Sequence, residues 1–266
     1  MTADARPVTI RTLAAMKRRG EPITMLTAYD YPTAKLLDAA GVDVLLVGDS
    51  LAMVVGGHDN TLPVTMDQMI YHAEMVARAA TRSLVVVDLP FPEGQLSINR
   101  SVVAASRVLK ETKAHAVKLE GGAEIAPRID RIVTAGIPVM GHVGLRPQNV
   151  HVDGGYRVQR DRDALVADAV AAEEAGAFAV VVECVTAEIG AAITEALAIP
   201  TIGIGAGSQT DGQVLVTHDL IGLTSGYTPK FVRTMADVSG VISDTAKSFK
   251  QSVVDGSFPG PDESFE

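Results

Sequence analysis

The chain has 266 residues, of which 47% are hydrophobic and 24 are glycine, and its net charge is -9 at pH 7. This length is enough for one sizeable core and is close to the roughly 250 residues typical of an α/β barrel. The charge is acidic and no run of Lys or Arg offers the basic surface that nucleic acid binding needs, so we expect no nucleic acid partner.

The sequence also favours a cytoplasmic protein with no membrane partner. Only one cysteine is present, and the first ten residues lack the apolar core of a signal peptide. No apolar stretch approaches the roughly 20 residues that are needed to span a bilayer.

Eight short apolar runs alternate with longer mixed segments along the chain. Each run is rich in Val, Ile and Leu instead of alternating with polar residues, which is typical of a parallel strand covered on both faces. The runs lie at residues 24–29, 42–48, 84–88, 116–120, 138–142, 177–183, 201–204 and 213–217.

The segments between the runs carry helix signals. Thr65 is a candidate N-cap for a helix over residues 66–80, and an Ala-rich helix over 163–175 ends at Gly176. Eight βα units joined by short turns predict a closed (β/α)8 TIM barrel, with a single catalytic domain over residues 1–266.

The two ends of the chain are predicted to lie outside the repeat. Residues 1–20 are expected to hold an extra N-terminal helix, basic near its end, which either covers the bottom of the barrel or stays solvated; we prefer the solvated helix. Residues 254–266 contain two prolines and two glycines and are expected to form an irregular tail.

Three acids end consecutive runs. Asp49, Asp88 and Glu120 follow the second, third and fourth runs, and neighbouring strands about 4.8 Å apart bring such side chains together at the carboxyl end of the barrel. Each acid alone is better explained as a helix cap or a solvated loop residue. Three at matching positions would repel one another without a cation, so we predict a Mg²⁺ site.

Three further side chains at the strand ends are candidates for chemistry. Lys118 shares a face with Glu120 because strand side chains alternate with a period of two, and it needs an anionic partner: a substrate carboxylate, Glu120, or a purely internal salt bridge. Glu183 ends the sixth run among apolar residues, where a carboxylate suits a general base; the alternative is pairing with an arginine. His142 ends the fifth run and either donates to a ligand or is structural.

A glycine-rich segment follows the seventh run at residues 203–207. This is where barrels often bind phosphate, but the segment lacks the Lys and Ser or Thr of a Walker loop. A tight turn or a close approach of backbone to a ligand explains it better.

Motifs spread in order through nearly the whole chain resemble those of the ketopantoate hydroxymethyltransferase family. They are LeuThrAlaTyrAsp at 26–30, ValGlyAspSer at 47–50, ThrLeuProValThr at 61–65, AspLeuProPhe at 88–91, ValLysLeuGluGlyGly at 117–122, GlyHisValGlyLeuArgProGln at 141–148, GlyIleGlyAlaGly at 203–207 and AspGlyGln at 211–213.

The resemblance implies a folate-dependent one-carbon transferase of pantothenate biosynthesis. It converts 3-methyl-2-oxobutanoate and 5,10-methylenetetrahydrofolate into 2-dehydropantoate and tetrahydrofolate. By this resemblance Asp49, Asp88 and Glu120 hold one Mg²⁺, with Glu120 acting through water. Asp49, Ser50, Asp88 and Lys118 contact the keto acid, Glu183 is the proton acceptor, and the chain forms a homodecamer.

Two other functions are compatible with the residues. The first is a Mg²⁺-dependent 2-hydroxy-acid lyase of the isocitrate lyase and phosphoenolpyruvate mutase type, whose reactive cysteine loop is not apparent in this sequence. The second is a non-catalytic keto-acid sensor, which would have no use for a base at Glu183.

Overall fold

The computed structural model describes residues 6–224, 226 and 228–265. Within these residues, eight parallel strands form a closed barrel in which each strand pairs with the next and the last pairs with the first. The strands are β1 (Ile23–Thr27), β2 (Val44–Val47), β3 (Leu84–Asp88), β4 (Ala116–Glu120), β5 (Val139–Gly144), β6 (Ala179–Glu183), β7 (Thr201–Ile204) and β8 (Gly212–Leu215). The predicted (β/α)8 barrel is confirmed.

Helices surround the barrel at the places where the sequence carries helix signals. They are α1 (Ile10–Arg19), α2 (Tyr31–Ala39), α3 (Leu51–Val54), α4 (Met66–Ala79), α5 (Ile98–Glu111), α6 (Ala126–Thr134), α7 (Arg162–Glu174) and α8 (Ala187–Ala196). Thr65 caps α4 as predicted, because its hydroxyl accepts from the Gln68 N–H while Gln68 bonds back to Thr65.

Strands β2 to β7 are buried on both faces, as their apolar composition requires, whereas β1 and β8 each expose one residue, Thr24 and Gln213. Along β2, Val44 and Leu46 belong to a cluster inside the barrel, whereas Leu45 and Val47 belong to the cluster between the sheet and its helices. A strand that contributes to two cores cannot alternate between apolar and polar residues, which explains the continuous apolar runs.

The N-terminal helix α1 packs against the barrel interior. Leu13 is fully buried, and it joins Val8 in the same cluster as the interior residues Ile23 and Met25 of β1. Lys17 adds an ion pair to Asp211, with 2.8 Å between Nζ and Oδ2. The prediction that this helix is solvated was therefore wrong, because Leu13 on its apolar face is buried against the barrel. Residues 1–5 of the predicted 1–20 segment lie outside the described residues.

The chain divides into two compact units, residues 1–216 and 217–266. The second unit contains α9 (Thr217–Leu220), α10 (Val238–Val254) and a 3₁₀ turn over Pro261–Glu263. The turn lies inside the predicted irregular tail over 254–266, whose last residue is outside the described residues. The single domain over 1–266 stays a prediction. None of the described helices is long and apolar enough to cross a membrane.

Asp38, near the end of α2, fixes the segment that leads into β3. Its Oδ2 accepts from the N–H and hydroxyl of Thr81 at 2.9 and 2.7 Å, and its Oδ1 accepts from the N–H groups of Arg82 and Ser83 at 3.0 and 2.7 Å. Burial raises the pKa of Asp38, but these hydrogen bonds outweigh burial and hold the pKa well below its ordinary value.

We expect Asp38→Asn to lower the free energy of unfolding by about 2–3 kcal/mol at pH 7, because an amide N–H then faces buried donors. A carboxyl whose pKa is lower in the folded chain stabilises the fold above its unfolded pKa and loses that effect as the pH falls. The difference in unfolding free energy between the unaltered chain and Asp38→Asn should therefore have its full size at pH 7 and should decrease below about pH 3.9. Urea denaturation measures it. Asp163→Asn, at a 95% exposed side chain, is the control; equal effects would contradict the assignment.

Candidate active site

Asp49, Asp88 and Glu120 lie together at the carboxyl end of the barrel, each no more than 5% exposed. Asp88 ends β3 and Glu120 ends β4, while Asp49 follows β2 by two residues. The helices that come next are capped by Ser50, Ser97 and Gly122, so none of the three acids is a helix cap. Their burial also excludes the solvated-loop interpretation.

Lys118 lies beside Asp88 because the two residues are register partners on β3 and β4. Its Nζ is 3.1 Å from Asp88 Oδ1, and both side chains are 5% exposed. Burial lowers the pKa of Lys118, but Asp88, Glu120 and Asp49 outweigh burial and raise it. The ammonium is therefore held in its charged form, with Asp88 as its partner at ion-pair distance.

His142 of β5 lies between Lys118 and Glu120 on one side and Glu183 on the other. It is the register partner of Glu120, which is on β4. Its Nδ1 is 3.0 Å from Lys118 Nζ and 3.6 Å from Glu120 Oε1, and its Nε2 is 3.1 Å from Glu183 Oε2. Glu183 thus contacts a histidine, and the arginine partner considered as the alternative is not among its ion pairs in the described chain. The side chain of Glu183 is 16% exposed, more than the other acids of the site.

The protonation of His142 is set by opposing neighbours. Burial and Lys118 lower its pKa, whereas Glu120 and Glu183 raise it, and the net result is a pKa of about 9. The 3.0 Å contact with a charged Lys118 nevertheless requires Nδ1 to accept a hydrogen bond. In this arrangement the ring is neutral with its hydrogen on Nε2, and it can gain a second proton only after Lys118 turns away.

The three acids carry more negative charge than Lys118 neutralises. Burial, Glu120 and Asp88 raise the pKa of Asp49 well above its ordinary value, and burial also raises the pKa of Asp88 despite Lys118. Glu120 is the exception: burial raises its pKa, but His142, Lys118 and a backbone N–H prevail and lower it. Burial and the neighbouring acids therefore oppose the charged form of Asp49.

The donor set fits a magnesium ion that keeps part of its water shell. In the described residues no three His, Cys, Asp or Glu side chains already stand in a ligand arrangement. Mg²⁺ is usually held by only one or two carboxylates, with water and substrate completing its shell. Asp88 Oδ1 is buried and accepts no aligned hydrogen bond within the described chain. Asp49 and Asp88 as direct ligands, with Glu120 reaching the ion through water, satisfy these conditions.

Gly48 has no side chain, and this leaves space for Ser50, which follows β2, and for Asp88 at the end of β3. A Cβ at this position would lie 2.8 Å from Ser50 Oγ and 3.5 Å from Asp88 Oδ2, so a larger residue would push the two apart. Ser50 Oγ lies 2.8 Å from the buried hydroxyl of Tyr29. This contact orients the Ser50 hydroxyl beside Asp49.

Two residues of the loop after β5 reach the site although the sequence did not single them out. Gln148 donates through its amide to Asp49 and through its backbone N–H to Glu120. Tyr156 reaches across the mouth, with its hydroxyl 4.0 Å from Met53 Sδ. Burial, Asp49, Glu183 and Glu120 raise the pKa of Tyr156. The sequence signal that could have identified Gln148 is its place at the end of a family motif. For Tyr156 the only such signal was the adjacent pair Gly154 and Gly155.

The glycine-rich segment at residues 203–207 forms a turn after β7. Gly205 and Gly207 have φ of 62° and 81°, in the region that favours glycine. A Cβ at Gly207 would come within 2.9 Å of the Ala187 backbone. The tight turn predicted for this segment is confirmed, and the alternative, a close approach of the backbone to a ligand, stays a prediction.

Comparison with known proteins separates family from fold. A family model described as ketopantoate hydroxymethyltransferase matches residues 7–261. Relatives named 3-methyl-2-oxobutanoate hydroxymethyltransferase include those of Rhodopirellula baltica, 68% identical over 97% of this chain and 96% of the relative, and Salinibacter ruber, 55% identical over 97% and 99%.

Solved structures of a different group share the barrel. Phosphoenolpyruvate phosphomutase from Streptomyces platensis superposes with a TM-score of 0.62 at 17% identity, covering 91% of this chain and 88% of the other. A phosphonopyruvate hydrolase complex with oxalate and Mg²⁺ gives 0.64 at 14% identity, covering 96% and 92%. At these identities the likeness shows the fold alone. On the family match and the curated relatives, the chain belongs to the ketopantoate hydroxymethyltransferase family.

Proposed function

We propose that this chain transfers a hydroxymethyl group from 5,10-methylenetetrahydrofolate to 3-methyl-2-oxobutanoate, giving 2-dehydropantoate and tetrahydrofolate. The family match over residues 7–261 carries this proposal. The reaction needs a proton removed from C3 of the keto acid and a carbon nucleophile kept away from water. The site offers groups for both tasks.

Lys118 supplies the positive charge for the keto-acid carboxylate. Its ammonium is buried and charged, and in the ligand-free chain it is shared between Asp88 and His142. If the Lys118 ammonium exchanges part of its contact with Asp88 for a substrate carboxylate, the free-energy cost is small, because one anionic partner replaces another. Asp49, Ser50, Asp88 and His142 line the same position, with the Ser50 hydroxyl as a donor and the buried Nε2 of His142 free of an aligned hydrogen bond within the described chain.

Glu183 accepts the C3 proton at Oε2 in this scheme. It is on β6, separated by β5 from the acids of β3 and β4, so the keto acid would lie between the base and the carboxylates. His142 Nε2 lies 3.1 Å from Glu183 Oε2, within reach for a hydrogen bond that would orient the carboxylate once the two groups align. A base held in place by a second group is the arrangement that proton abstraction requires.

Asp49 and Asp88 would hold Mg²⁺ directly, and Glu120 would hold it through water. When bound, Mg²⁺ acts as a Lewis acid that withdraws charge from the keto oxygen and so stabilises the enolate that loss of the C3 proton produces. The buried site and Tyr156 at its mouth keep bulk water from the folate one-carbon unit.

We expect Mg²⁺ binding to release protons, because burial, Glu120 and Asp88 raise the pKa of Asp49 and a ligand must be deprotonated. Mg²⁺ affinity should therefore rise with pH. Calorimetry in two buffers of different ionisation enthalpy measures the number of protons released. Binding without proton release, at an affinity independent of pH, would contradict the ligand role of Asp49.

Folate dependence separates the proposed transferase from its two alternatives. The transferase consumes 3-methyl-2-oxobutanoate only when the folate is supplied. A lyase of the phosphoenolpyruvate mutase type acts on a 2-hydroxy acid without folate, and a sensor binds the keto acid without turnover. Folate-dependent consumption of the keto acid by the purified chain supports the transferase, and no consumption with 5,10-methylenetetrahydrofolate present contradicts it in favour of one of the two alternatives. The decameric assembly and the cytoplasmic location stay predictions.

A further inference from the structure

Gln148 is a buried side chain that joins three strand ends at the mouth of the barrel. It lies in the 3₁₀ turn Pro147–Asn149 after β5 and is 5% exposed. Its Nε2 donates to Asp49 Oδ2 at 2.8 Å and to the carbonyl of Leu89 at 3.1 Å, and its backbone N–H donates to Glu120 Oε2 at 3.1 Å. One residue thus contacts the segments that follow β2 and β3 and the end of β4.

The amide of Gln148 has one orientation only. Nε2 carries two hydrogens, and its two neighbours, a carboxylate and a carbonyl, can only accept. Its Oε1 in turn accepts from Gln95 Nε2 at 2.6 Å. A reversed amide would place oxygen against both acceptors and nitrogen against a donor. The network therefore fixes where the N–H that faces Asp49 points.

Gln95 is itself anchored to the helix layer. Its carbonyl accepts from Arg128 Nη2 at 2.8 Å, and Arg128 Nη1 also donates to the carbonyl of Glu124 at 3.2 Å. The β3–α5 loop is thereby connected to α6, and through Gln95 it supports the Gln148 amide.

Gln148 donates to two buried carboxylates of the site, those of Asp49 and Glu120. One N–H on each of these two groups lowers the energy of their charged forms and ties each to a fixed oxygen, Oδ2 of Asp49 and Oε2 of Glu120. The second oxygen of each carboxylate, Oδ1 of Asp49 and Oε1 of Glu120, accepts no hydrogen bond from Gln148.

We propose that Gln148 is a positioning residue that orients Asp49 and Glu120 for the cation and for the keto acid. This inference rests on the proposed function, since it assigns Gln148 a part in assembling that same site. Gln148 touches neither substrate nor reacting atoms in this assignment. It acts through Asp49 and Glu120, as outer residues do that hold a metal ligand by a hydrogen bond.

Gln148→Met tests the assignment, because methionine keeps the length of the side chain and the backbone N–H while removing the amide donors. We expect the Mg²⁺ dissociation constant, measured by calorimetry with the metal alone, to rise by about 10–100-fold. Deuterium incorporation at C3 of 3-methyl-2-oxobutanoate at saturating Mg²⁺ should fall as well.

Gln213→Met is the control for the loss of a glutamine amide, at a side chain that is exposed where Gln148 is buried. The Gln213 amide donates to the carbonyl of Gly207 and the hydroxyl of Thr210, and it has no carboxylate partner among the described residues. A merely structural role for Gln148 would lower the melting temperature of Gln148→Met and leave its Mg²⁺ affinity equal to that of Gln213→Met. Mg²⁺ dissociation constants within about twofold of each other would overturn the proposal.

If Gln148→Met does not fold, Gln148→Asn decides, since the shorter side chain keeps an amide but draws its N–H groups away from Asp49 Oδ2 and the Leu89 carbonyl. A rise in the Mg²⁺ dissociation constant supports the proposal, and an unchanged constant overturns it. Deuterium incorporation by the unaltered chain distinguishes failure of the proposed role of Gln148 from failure of the proposed function. If the unaltered chain exchanges and the variants bind Mg²⁺ normally, only the role of Gln148 fails; if the unaltered chain does not exchange at all, the proposed function fails.

Discussion

Glu183→Gln is expected to slow deuterium incorporation at C3 of 3-methyl-2-oxobutanoate by about 10²–10⁴-fold, the usual contribution of a positioned general base. The amide keeps the shape of the side chain but cannot accept the proton at Oε2. Lys118, Asp49 and Asp88 are unchanged, so keto-acid and Mg²⁺ affinities should stay close to those of the unaltered chain. Proton NMR of the keto acid in deuterium oxide measures the exchange, and calorimetry measures both affinities.

Glu188→Gln is the control for this change. Glu188 is exposed in the first turn of α8, on the segment that follows β6, and it has the same side chain. Its substitution should leave exchange unchanged. Normal exchange by Glu183→Gln would require a different base and would remove the assigned role of Glu183.

Lys118→Met should affect both stability and substrate binding. Removing one partner of a buried ion pair leaves the other charge without compensation and costs about 3–5 kcal/mol of unfolding free energy. We also expect keto-acid affinity to fall by about 10–100-fold, because a hydrogen bond to a charged group contributes about 1.5–3 kcal/mol. Urea denaturation and keto-acid titration measure the two effects.

Lys113→Met is the control, because it removes a lysine that lies outside the site. Lys113 is exposed on the segment that leads into β4, so its substitution should change neither quantity by more than about 0.5 kcal/mol. Unchanged keto-acid affinity in Lys118→Met would show that the ammonium serves only the internal pair with Asp88, the alternative left open by the sequence.

The sequence predicted the parts of the site that follow from strand period and strand ends. Lys118 and Glu120 share a face because they are two residues apart on β4, and Asp88 reaches them because β3 ends beside β4. The apolar runs predicted the eight strands to within about two residues. These features depend on local pattern, which a single sequence contains.

The partners of these residues were harder to predict because they depend on register and on loops. Lys118 was expected to pair with a substrate, with Glu120 or in an internal salt bridge whose partner the sequence could not name. The register places it against Asp88, and its ammonium also contacts His142. Gln148 lies 99 residues from Asp49 in the chain, and no periodicity links a loop amide to a distant carboxylate. The packing of α1 was misjudged for a similar reason: its basic end is visible in the sequence, but the interior surface that covers Leu13 forms only when the barrel closes.

A crystal structure of the chain with Mg²⁺ and 3-methyl-2-oxobutanoate tests the central claim most directly. The account predicts a cation on Asp49 and Asp88, the keto-acid carboxylate within hydrogen-bond distance of Lys118, and C3 facing Glu183. Asp49 and Asp88 turned away from each other with no cation between them, or a keto acid bound with C3 directed away from Glu183, would contradict it.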